Sequence, residues 1–457
     1  MKDRTLRSDK GEIIELESHI ASSGEGEVWR VKDSDLVAKI YRKNPSIEQI
    51  EKLSIMMNNP PKNPNADKSH TPWAWPESFI LHRKSKVGFL MKRIKGGRQI
   101  IEVYNPLKRR AEKVDANWQF LHAVALNFAT IVRELHSSGY VIGDIKPQNI
   151  LTNSKGWVSI VDIDSIQVKH PSNPQKVYTC PVGTEETTPP ELVGKIIADE
   201  IQTEAQDRFR IGVVVFQLLF GEHPFKFPQE GNPLKIGELI QKRLWIGSEG
   251  ATVNNPRLIP LDIVHPKLQD YFSKCFESVD PQLRPTANEW KKAIERAYDD
   301  LVPCQNIAAL PHYTHPHFYS KHLPSCYWCD RAKKIGYDMF GQGAIQQVES
   351  SELARLVLLD KAFAQVRGKV TSASIQRNNI VLRLGKGNRT LKFGAFEIVI
   401  APQVVSTLSD ADKKALLDTK GKEMSVKGTI SVLKTKAKST PKVIVDSQPL
   451  PCHIIQS

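Results

Sequence analysis

Cysteine and long apolar runs are both scarce in this chain of 457 residues. Six cysteines are too few for a fold held together by disulfides. The longest strongly apolar run, residues 211–220, is far shorter than the ~20 residues that a membrane-spanning helix needs. The first residues lead into a polar stretch without an apolar core, which predicts that there is no signal peptide. These absences predict a soluble, cytoplasmic protein with no membrane partner.

What is present is ordinary globular composition, with 40% hydrophobic and 25% charged residues, and enough length for about three domains. The charge is uneven. The whole chain has 64 basic and 50 acidic residues, whereas residues 364–457 have sixteen basic and six acidic residues, a net charge of +10 (16 − 6). This local excess predicts either a contact with nucleic acid or another acidic partner, or simply a solvated basic surface.

Polar residues at the ends of short apolar runs form a coherent chemical set in the middle of the chain. Asp144, Lys146 and Asn149 follow the apolar run 140–142, and Asp162 follows the run 158–161. A carboxylate can orient an attacking hydroxyl, and an ammonium group can contact a transferring phosphoryl group. Asparagine and aspartate together offer the oxygen ligands that Mg²⁺ prefers. The set therefore predicts phosphoryl transfer.

The arrangement resembles the protein kinase superfamily, in particular the bacterial Ser/Thr kinase-like proteins. Six landmarks occur in the family's order over residues 12–300: Val37-Ala38-Lys39, Asp144-x-Lys146-Pro147-x-Asn149, Asp162, Pro189-Pro190-Glu191, Asp207 to Gly212, and Arg284, which in the family pairs with Glu191. The resemblance implies an α+β, bilobal protein-kinase-like fold over residues 1–300. A sheet-rich small lobe would end near residue 94, and a helical large lobe would follow.

The resemblance also implies the roles of individual residues around ATP and Mg²⁺ or Mn²⁺. Asp144 and Lys146 would be catalytic, and Asn149 and Asp162 would hold the metal. Lys39 would contact the nucleotide phosphates and be held by Glu51 or by Glu48, because both glutamates lie on a predicted helix over residues 45–57. The expected nucleotide-contacting residues are Ala21, Ser22, Ser23, Gly24, Gly26, Val28, Ala38, Lys39, Glu51, Met91 and Arg93.

Three departures from the family pattern affect the expected function. The first two loop glycines are Ala21 and Ser23, the His-Arg before Asp144 is Ile142-Gly143, and the Phe-Gly after Asp162 is Ile163-Asp164. Without the arginine, activity should not depend on phosphorylation of the activation loop. Asp164 would either bind a further metal ion or cap a turn. The chain is expected to be a Ser/Thr protein kinase; the alternative is a pseudokinase or nucleotide-sensing scaffold that presents the C-terminal part to a partner.

A cluster of cysteines and histidines follows the kinase-like part. Cys326 and Cys329 are separated by two residues, a gap that lets both thiolates reach one tetrahedral metal ion. With Cys304 and either His317 or His322 as the fourth ligand, residues 301–335 resemble a zinc-ribbon-like module that binds Zn²⁺. The alternative is a redox-active or simply buried cysteine pair.

The C-terminal part has the hydrophobic period of strands. After a predicted helical linker over residues 336–363, runs at 370–375, 380–384, 390–393, 424–431 and 442–445 alternate with period two, and a short helix is predicted over 410–417. Five strands with a helix before the fourth, and a basic loop over 434–438, resemble a mainly β OB-like barrel over residues 364–457. The basic loop predicts contact with nucleic acid or with an acidic partner.

Overall fold

The computed structural model of the chain contains two compact units, Met1–Val302 with Ser320–His322, and Pro303–Tyr319 with Leu323–Ser457. The structure describes residues 5–112, 114–229, 233–248, 258–304, 317–335, 338–340, 346–349, 363–385, 395–434, 439–445 and 452–454. Among these residues, no helix combines the length and the apolar character needed to cross a bilayer.

The first unit begins with a seven-stranded antiparallel sheet, in the order β2-β1-β6-β7-β5-β4-β3. Its strands are β1 (Leu6–Ser8), β2 (Ile13–Ile14), β3 (Leu16–Ser22), β4 (Gly26–Val31), β5 (Leu36–Tyr41), β6 (Pro76–His82) and β7 (Ser85–Lys92). One face of the sheet buries a small apolar core that includes Ala38, Ile40 and Leu90. The helix α1 (Ile47–Asn58) begins at Ser46, whose hydroxyl accepts a hydrogen bond from the Gln49 amide.

The described part of the large lobe contains seven α-helices. The helices are α2 (Ile100–Tyr104), α3 (Pro106–Ala111), α4 (Trp118–Ser137), α5 (Glu204–Phe220), α6 (Ile236–Gln241), α7 (Pro266–Glu277) and α8 (Ala287–Asp299). The three- and four-residue apolar spacing of α4 packs it against α5 and α8. Helix α5 is buried along most of its length, so it is the apolar centre of this lobe.

Short strands carry the loops of the large lobe. They are β8 (Arg98–Gln99), β9 (Ile150–Thr152), β10 (Val158–Ile160), β11 (Val168–His170) and β12 (Asn173–Tyr178). Strands β9 and β10 pair antiparallel, so the loop before β9 and the loop after β10 lie at the same end of this small sheet. Strands β11 and β12 form an antiparallel hairpin further along the chain.

The second unit is mostly β structure. Its elements, with the two strands that flank its start, are β13 (Leu301–Pro303), β14 (Phe318–Ser320), α9 (Tyr327–Ile335), β15 (Gln346–Glu349), β16 (Phe363–Gln376), β17 (Asn379–Leu384), β18 (Phe396–Ile400), α10 (Pro402–Val405), α11 (Asp410–Leu417), β19 (Glu423–Lys434), β20 (Ser439–Val445) and β21 (Cys452–Ile454). Strands β16 to β20 form a closed ring, because β16 pairs with both β17 and β19. In this ring, β18 runs parallel to β20. Buried residues of the ring strands, among them Leu382, Phe396 and Val426, form its core.

Parts of the C-terminal prediction need correction. Residues 346–349 were expected to be helical but form β15, because parallel pairing with β16 satisfies their backbone hydrogen bonds. The third ring strand is Phe396–Ile400, a run whose alternation was overlooked. The strand predicted over 390–393 and the basic loop over 435–438 lie outside the described residues. Helix α11 lies where the short helix was predicted.

Candidate active site and candidate metal centre

The lysine of β5 is surrounded by carboxylates. Lys39 is buried in the strand, yet its Nζ lies 2.9 Å from Asp162 Oδ1, and 2.5 and 2.7 Å from the two carboxylate oxygens of Asp164. Burial by itself lowers the pKa of Lys39, but the charges of Asp164 and Asp162 outweigh it and raise this pKa above its ordinary value. Asp162 and Asp164 lie 123 and 125 positions after Lys39 in the sequence, yet both carboxylates contact its ammonium group.

The loop after β10 brings both aspartates to Lys39. Asp162 adopts a left-handed backbone conformation with φ of 60°, and a short 3-10 turn over Ile163–Ser165 follows it. The Ser165 hydroxyl donates to the Asp162 carbonyl oxygen at 2.8 Å, which closes the turn. The Asp162 side chain is 37% exposed, whereas the Asp164 side chain is 5% exposed. Asp162 can therefore reach an incoming ligand that Asp164 cannot.

The loop before β9 carries the predicted catalytic groups. Asp144 is buried, and Lys146 Nζ lies 2.5 Å from its Oδ2 atom. The hydroxyl of Thr184 donates to the Oδ1 atom of Asp144 at 2.9 Å, a contact that the sequence analysis missed. Asn149 Nδ2 lies 3.4 Å from the Asp144 carbonyl oxygen. Asp144, Asn149 and Asp162 line one small cavity. The structure thus brings the predicted catalytic and metal-binding residues together.

Helix α5 anchors this loop. The carboxylate of Asp207 accepts hydrogen bonds from the backbone amides of Ile142 at 2.6 Å and Gly143 at 2.9 Å. Burial alone raises the pKa of Asp207. The hydrogen bond with His136 and the charge of Arg210 lower it by more, so its net pKa is below the ordinary value and the group stays charged. The loop therefore holds its shape through a buried carboxylate on the central helix.

Gly143 replaces the arginine that kinases keep before the catalytic aspartate. Its φ is +79°, and a Cβ atom added there would lie 2.6 Å from the Cβ atom of Cys180. Cys180 belongs to the segment between Asp162 and Glu191, so this segment packs directly on the catalytic loop. The space in which an arginine side chain would begin is filled.

The loop between β3 and β4 is held by hydrogen bonds within the loop and extends toward Lys39. The Ser23 hydroxyl accepts hydrogen bonds from the amides of Glu25 at 3.3 Å and Gly26 at 3.2 Å. Gly26 is required by the sheet, because a Cβ atom there would lie 2.5 Å from the Ile40 carbonyl oxygen. Glu25 extends toward Lys39, with 4.0 Å between Oε2 and Nζ.

The other predicted nucleotide-contacting residues of this loop lie on the two strands that flank it. Ala21 and Ser22 are exposed on β3, and Gly24 lies at the tip of the turn. Val28 of β4 is the register partner of Lys39, so both side chains lie on the same face of the sheet. This face therefore carries Val28 beside the lysine that would bind the phosphates.

One predicted nucleotide-contacting residue of the sheet is contradicted by the geometry. Ala38 lies on the opposite face of the sheet from Lys39, within the apolar core. The strand period of two places Val37 on the lysine's face, opposite Met91, and could have revealed this. Arg93 directly follows β7, and its amide donates to the Asp35 carbonyl oxygen at 2.8 Å.

The predicted partner of Lys39 on α1 is also wrong. Glu51 Oε2 accepts a hydrogen bond from Lys176 Nζ at 2.6 Å, and Glu48 is exposed. The α1 side chains that are buried belong to Lys52, Leu53, Ile55 and Met56. Helical period explains the error, because Glu51 lies on the side of α1 that faces the β11–β12 hairpin.

A second site gathers the cysteines of the second unit. Cys304, Cys326 and Cys329 are buried and form no disulfide, and their sulfur atoms lie within 4.8 Å of one another. His317 Nδ1 lies 3.4 Å from Cys329 Sγ and 3.7 Å from Cys326 Sγ. Ligands about 2.3 Å from a tetrahedral zinc ion are roughly 3.8 Å apart, so four donors of this kind and spacing fit Zn²⁺.

An aspartate supports the histidine of this cluster. His317 Nε2 lies 3.0 Å from Asp338 Oδ1, so a proton on Nε2 donates to the carboxylate and leaves the Nδ1 lone pair directed at the sulfurs. Burial lowers the pKa of His317 to about 4, which keeps the ring neutral. His322 is not in the cluster, because its ring contacts Ser320 and the Asp262 carbonyl oxygen. The alternative with His322 as fourth ligand is wrong for this geometry, and Asp338 had no sequence signal.

Comparison with known proteins finds similarity to protein kinases. A family profile described as Protein kinase domain matches residues 80–294. Protein kinase YegI of Escherichia coli K12 is 29% identical over 384 residues, which cover 80% of this chain and 55% of YegI. Serine/threonine protein kinase ypkA of Aspergillus fumigatus is 23% identical over 317 residues, which cover 65% of this chain and 44% of that protein. A solved ROP18 kinase domain in complex with AMP-PNP and sucrose covers 65% of this chain and 83% of its own, with a TM-score of 0.45 and 16% identity.

The first unit thus contains a kinase-like fold whose cleft holds a lysine, two metal-loop carboxylates and a catalytic-loop aspartate. Residues 80–294 therefore match a protein kinase domain, and the chain is similar to bacterial protein kinases of the YegI type. It spans about half the length of the YegI relatives, at 55% and 56%. The bidentate ion pair between Arg284 and Glu191, with both N–O distances 2.7 Å, is the one that the resemblance implied.

Proposed function

We propose that the chain is an ATP-dependent protein kinase that transfers the γ-phosphoryl group of ATP to a serine or threonine hydroxyl of a protein. The contact that carries the proposal is the 2.9 Å hydrogen bond from the Thr184 hydroxyl to the Asp144 carboxylate, beside Lys146. Asp144 therefore already accepts a hydrogen bond from an aliphatic hydroxyl, as it would from an acceptor side chain. The name of the relative ypkA, a serine/threonine protein kinase, agrees with this acceptor.

Each residue has a defined task in this proposal. Asp144 orients the acceptor hydroxyl, and Lys146 offsets charge on the moving phosphoryl group. Lys39 contacts the nucleotide phosphates. Asp162 and Asn149 would hold Mg²⁺, for which the half-exposed carboxylate of Asp162 and the nearby amide oxygen are suitable donors. When bound, the metal ion neutralises charge on the phosphate oxygens.

We also propose that activity does not require phosphorylation of the segment between Asp162 and Glu191. Cys180 already packs against Gly143, and Lys176 of β12 is paired with Glu51 of α1. The hydroxyls of Thr187 and Thr188 are buried and contact the Thr184 carbonyl oxygen at 3.4 and 2.8 Å. The segment is thus ordered by packing and by ion pairs such as Lys176–Glu51, without a phosphate–arginine contact.

Transfer of radiolabelled phosphate from ATP to a generic basic protein or to the chain itself tests the proposal. Asp144→Asn keeps the size of the side chain but removes the charge, and we expect it to lower the rate by about 10²- to 10⁴-fold. The matched control is Asp199→Asn, which alters an exposed aspartate. Equal labelling of wild type and Asp144→Asn, or no labelling of either with Mg²⁺ and Mn²⁺, would favour the pseudokinase alternative.

We propose that the second unit binds one Zn²⁺ through Cys304, Cys326, Cys329 and His317, with Asp338 orienting the imidazole. The buried convergence of three sulfurs and one ring nitrogen supports this set. Elemental analysis of the purified chain measures the stoichiometry. A zinc content near zero in folded protein would refute the site.

We further propose that the closed ring of β16 to β20 is an OB-like barrel that binds single-stranded nucleic acid. The ring order, the parallel β18–β20 pair and the excess of basic residues support this proposal. Phe396 is buried in the core, so binding would depend on charge more than on stacking by this ring. The full chain should bind a fluorescent oligonucleotide at ~50 mM salt and release it as salt rises. No binding at low salt would refute nucleic acid as the ligand.

A further inference from the structure

A lysine ammonium that is buried in a nucleotide site needs a permanent negative partner to hold it in place. Lys39 is 5% exposed at its side chain, and an unpaired charge at that depth is costly. Three carboxylates surround it: Asp164 with two contacts of 2.5 and 2.7 Å, Asp162 with one of 2.9 Å, and Glu25 at 4.0 Å. The three carboxylates differ in exposure: the side chains of Glu25 and Asp162 are 45% and 37% exposed, whereas that of Asp164 is 5% exposed.

Helix α1 does not supply this partner. All of its residues are described, and its only acidic residues are Glu48 and Glu51. Glu51 is bonded to Lys176 at 2.6 Å, and Glu48 is exposed. The buried face of the helix carries Lys52, a residue of the same charge as Lys39. If α1 moved closer to Lys39, its buried face would bring the positive charge of Lys52 toward Lys39 and would bring no carboxylate.

The carboxylate of Asp164 is fixed beside Lys39 by contacts on two sides. Its Oδ2 atom also accepts a hydrogen bond from the Tyr41 hydroxyl at 2.7 Å. Tyr41 lies two residues after Lys39, so both side chains come from the same face of β5. On the other side, the turn over Ile163–Ser165, with Ile163 buried, fixes the backbone of Asp164. Asp162, by contrast, is 37% exposed and can leave Lys39 for a metal ion.

We propose that Asp164, supported by the Tyr41 hydroxyl, is the positioning residue that holds Lys39 toward the nucleotide phosphates. It takes the place that the resemblance gave to a glutamate of α1. The inference rests on the proposed kinase function and deepens it: the loop after β10 and strand β5 supply the groups that align Lys39, and no carboxylate of α1 takes part.

Nucleotide binding by the full chain tests the proposal with Asp164→Asn and Glu51→Gln as the compared pair. Affinities for Mg²⁺·ATP and for adenosine are measured separately by competition with a fluorescent ATP analogue. Because Lys39 contacts only phosphates, Asp164→Asn should bind Mg²⁺·ATP about 10- to 100-fold more weakly, the loss of one charged hydrogen bond, with adenosine affinity unchanged. Glu51→Gln should change neither affinity by more than about twofold.

Three results would overturn the inference: unchanged ATP affinity in Asp164→Asn, an equal loss of ATP and adenosine affinity, or a loss in Glu51→Gln that matches Asp164→Asn. If Asp164→Asn does not fold, Tyr41→Phe serves, since it keeps the charge and removes one hydrogen bond. It should weaken ATP binding by about two- to tenfold, and unchanged affinity would count against the proposal.

Phosphate transfer is measured on the same proteins. Wild type that binds ATP in an Asp164-dependent way but transfers no phosphate would refute the kinase function and support the positioning role. Wild type that does not bind ATP would refute both.

Discussion

Replacement of Gly143 by alanine should destabilise the first unit strongly, although it adds a single methyl group. The backbone of Gly143 has φ of +79°, a conformation that costs an L-residue about 1–2 kcal/mol. The new Cβ atom would lie 2.6 Å from Cys180 Cβ and 2.8 Å from its Sγ atom, and overpacking of this kind costs about 1–3 kcal/mol. The two terms together predict a loss of about 2–5 kcal/mol in the free energy of unfolding.

Urea unfolding followed by tryptophan fluorescence measures this loss, because seven of the eight tryptophans lie in the first unit. The double variant Gly143→Ala/Cys180→Gly separates the two terms. It should be more stable than the sum of the single losses predicts, because the clash is gone while the backbone cost remains. A Gly143→Ala protein that unfolds at the wild-type urea concentration would refute the reasoning. Strict additivity of the two substitutions would show that the contact with Cys180 is not the cause.

Three further predictions follow from buried groups. Glu191→Gln should cost about 3–5 kcal/mol in urea unfolding, because it leaves the fully buried guanidinium of Arg284 without its charge partner. Burial alone raises the pKa of Glu191, but Arg284 lowers it by more, so the net pKa is below the ordinary value. The stabilisation by this pair is therefore present above about pH 4.3 and is lost as pH falls through the folded-state pKa of Glu191. Equal stability of wild type and Glu191→Gln at pH 7 would contradict the prediction. His317→Ala should lose zinc while His322→Ala retains about one equivalent by elemental analysis, and the opposite pattern would reverse the ligand assignment. Lys52→Met should raise stability at pH 7 by about 1–2 kcal/mol, because burial lowers the pKa of Lys52 and, in the described part of the chain, no hydrogen bond or ion pair holds its ammonium. This gain should shrink as pH rises toward 10.5, where the wild-type lysine becomes neutral, and a loss of stability at pH 7 would contradict it.

Much of the candidate active site could be predicted because its residues belong to short motifs. Asp144, Lys146 and Asn149 lie within six consecutive residues, so one loop conformation places all three whatever the rest of the chain does. The pairing of Arg284 with Glu191 is also implied by the resemblance, because the family keeps an arginine that pairs with this glutamate. The cysteine cluster was visible for the same reason, because a two-residue gap already limits where both sulfurs can point.

The errors concern contacts between distant segments. The sequence indicates that Glu51 lies on a helix but not which side of that helix faces Lys39, and side chains two positions apart on a helix differ by about 200° in direction. Ala38 lies next to Lys39 in sequence but on the other face of β5, whereas the strand period of two places Val37 on the face of Lys39. Asp338 and Thr184 offered no pattern at all. Each becomes meaningful only beside a group that lies more than 20 positions away.

The amino-acid sequence by itself supplied the candidate chemistry of this chain: an aspartate, a lysine and an asparagine in one short loop, a further aspartate after a strand, a lysine in an apolar strand, and a set of closely spaced thiols. Only the tertiary structure decided which charges neutralise one another, because Coulomb energies depend on distances of a few ångströms that spacing along the chain does not set. Lys39 therefore pairs with Asp164, 125 residues away, while Glu51, 12 residues away, binds Lys176.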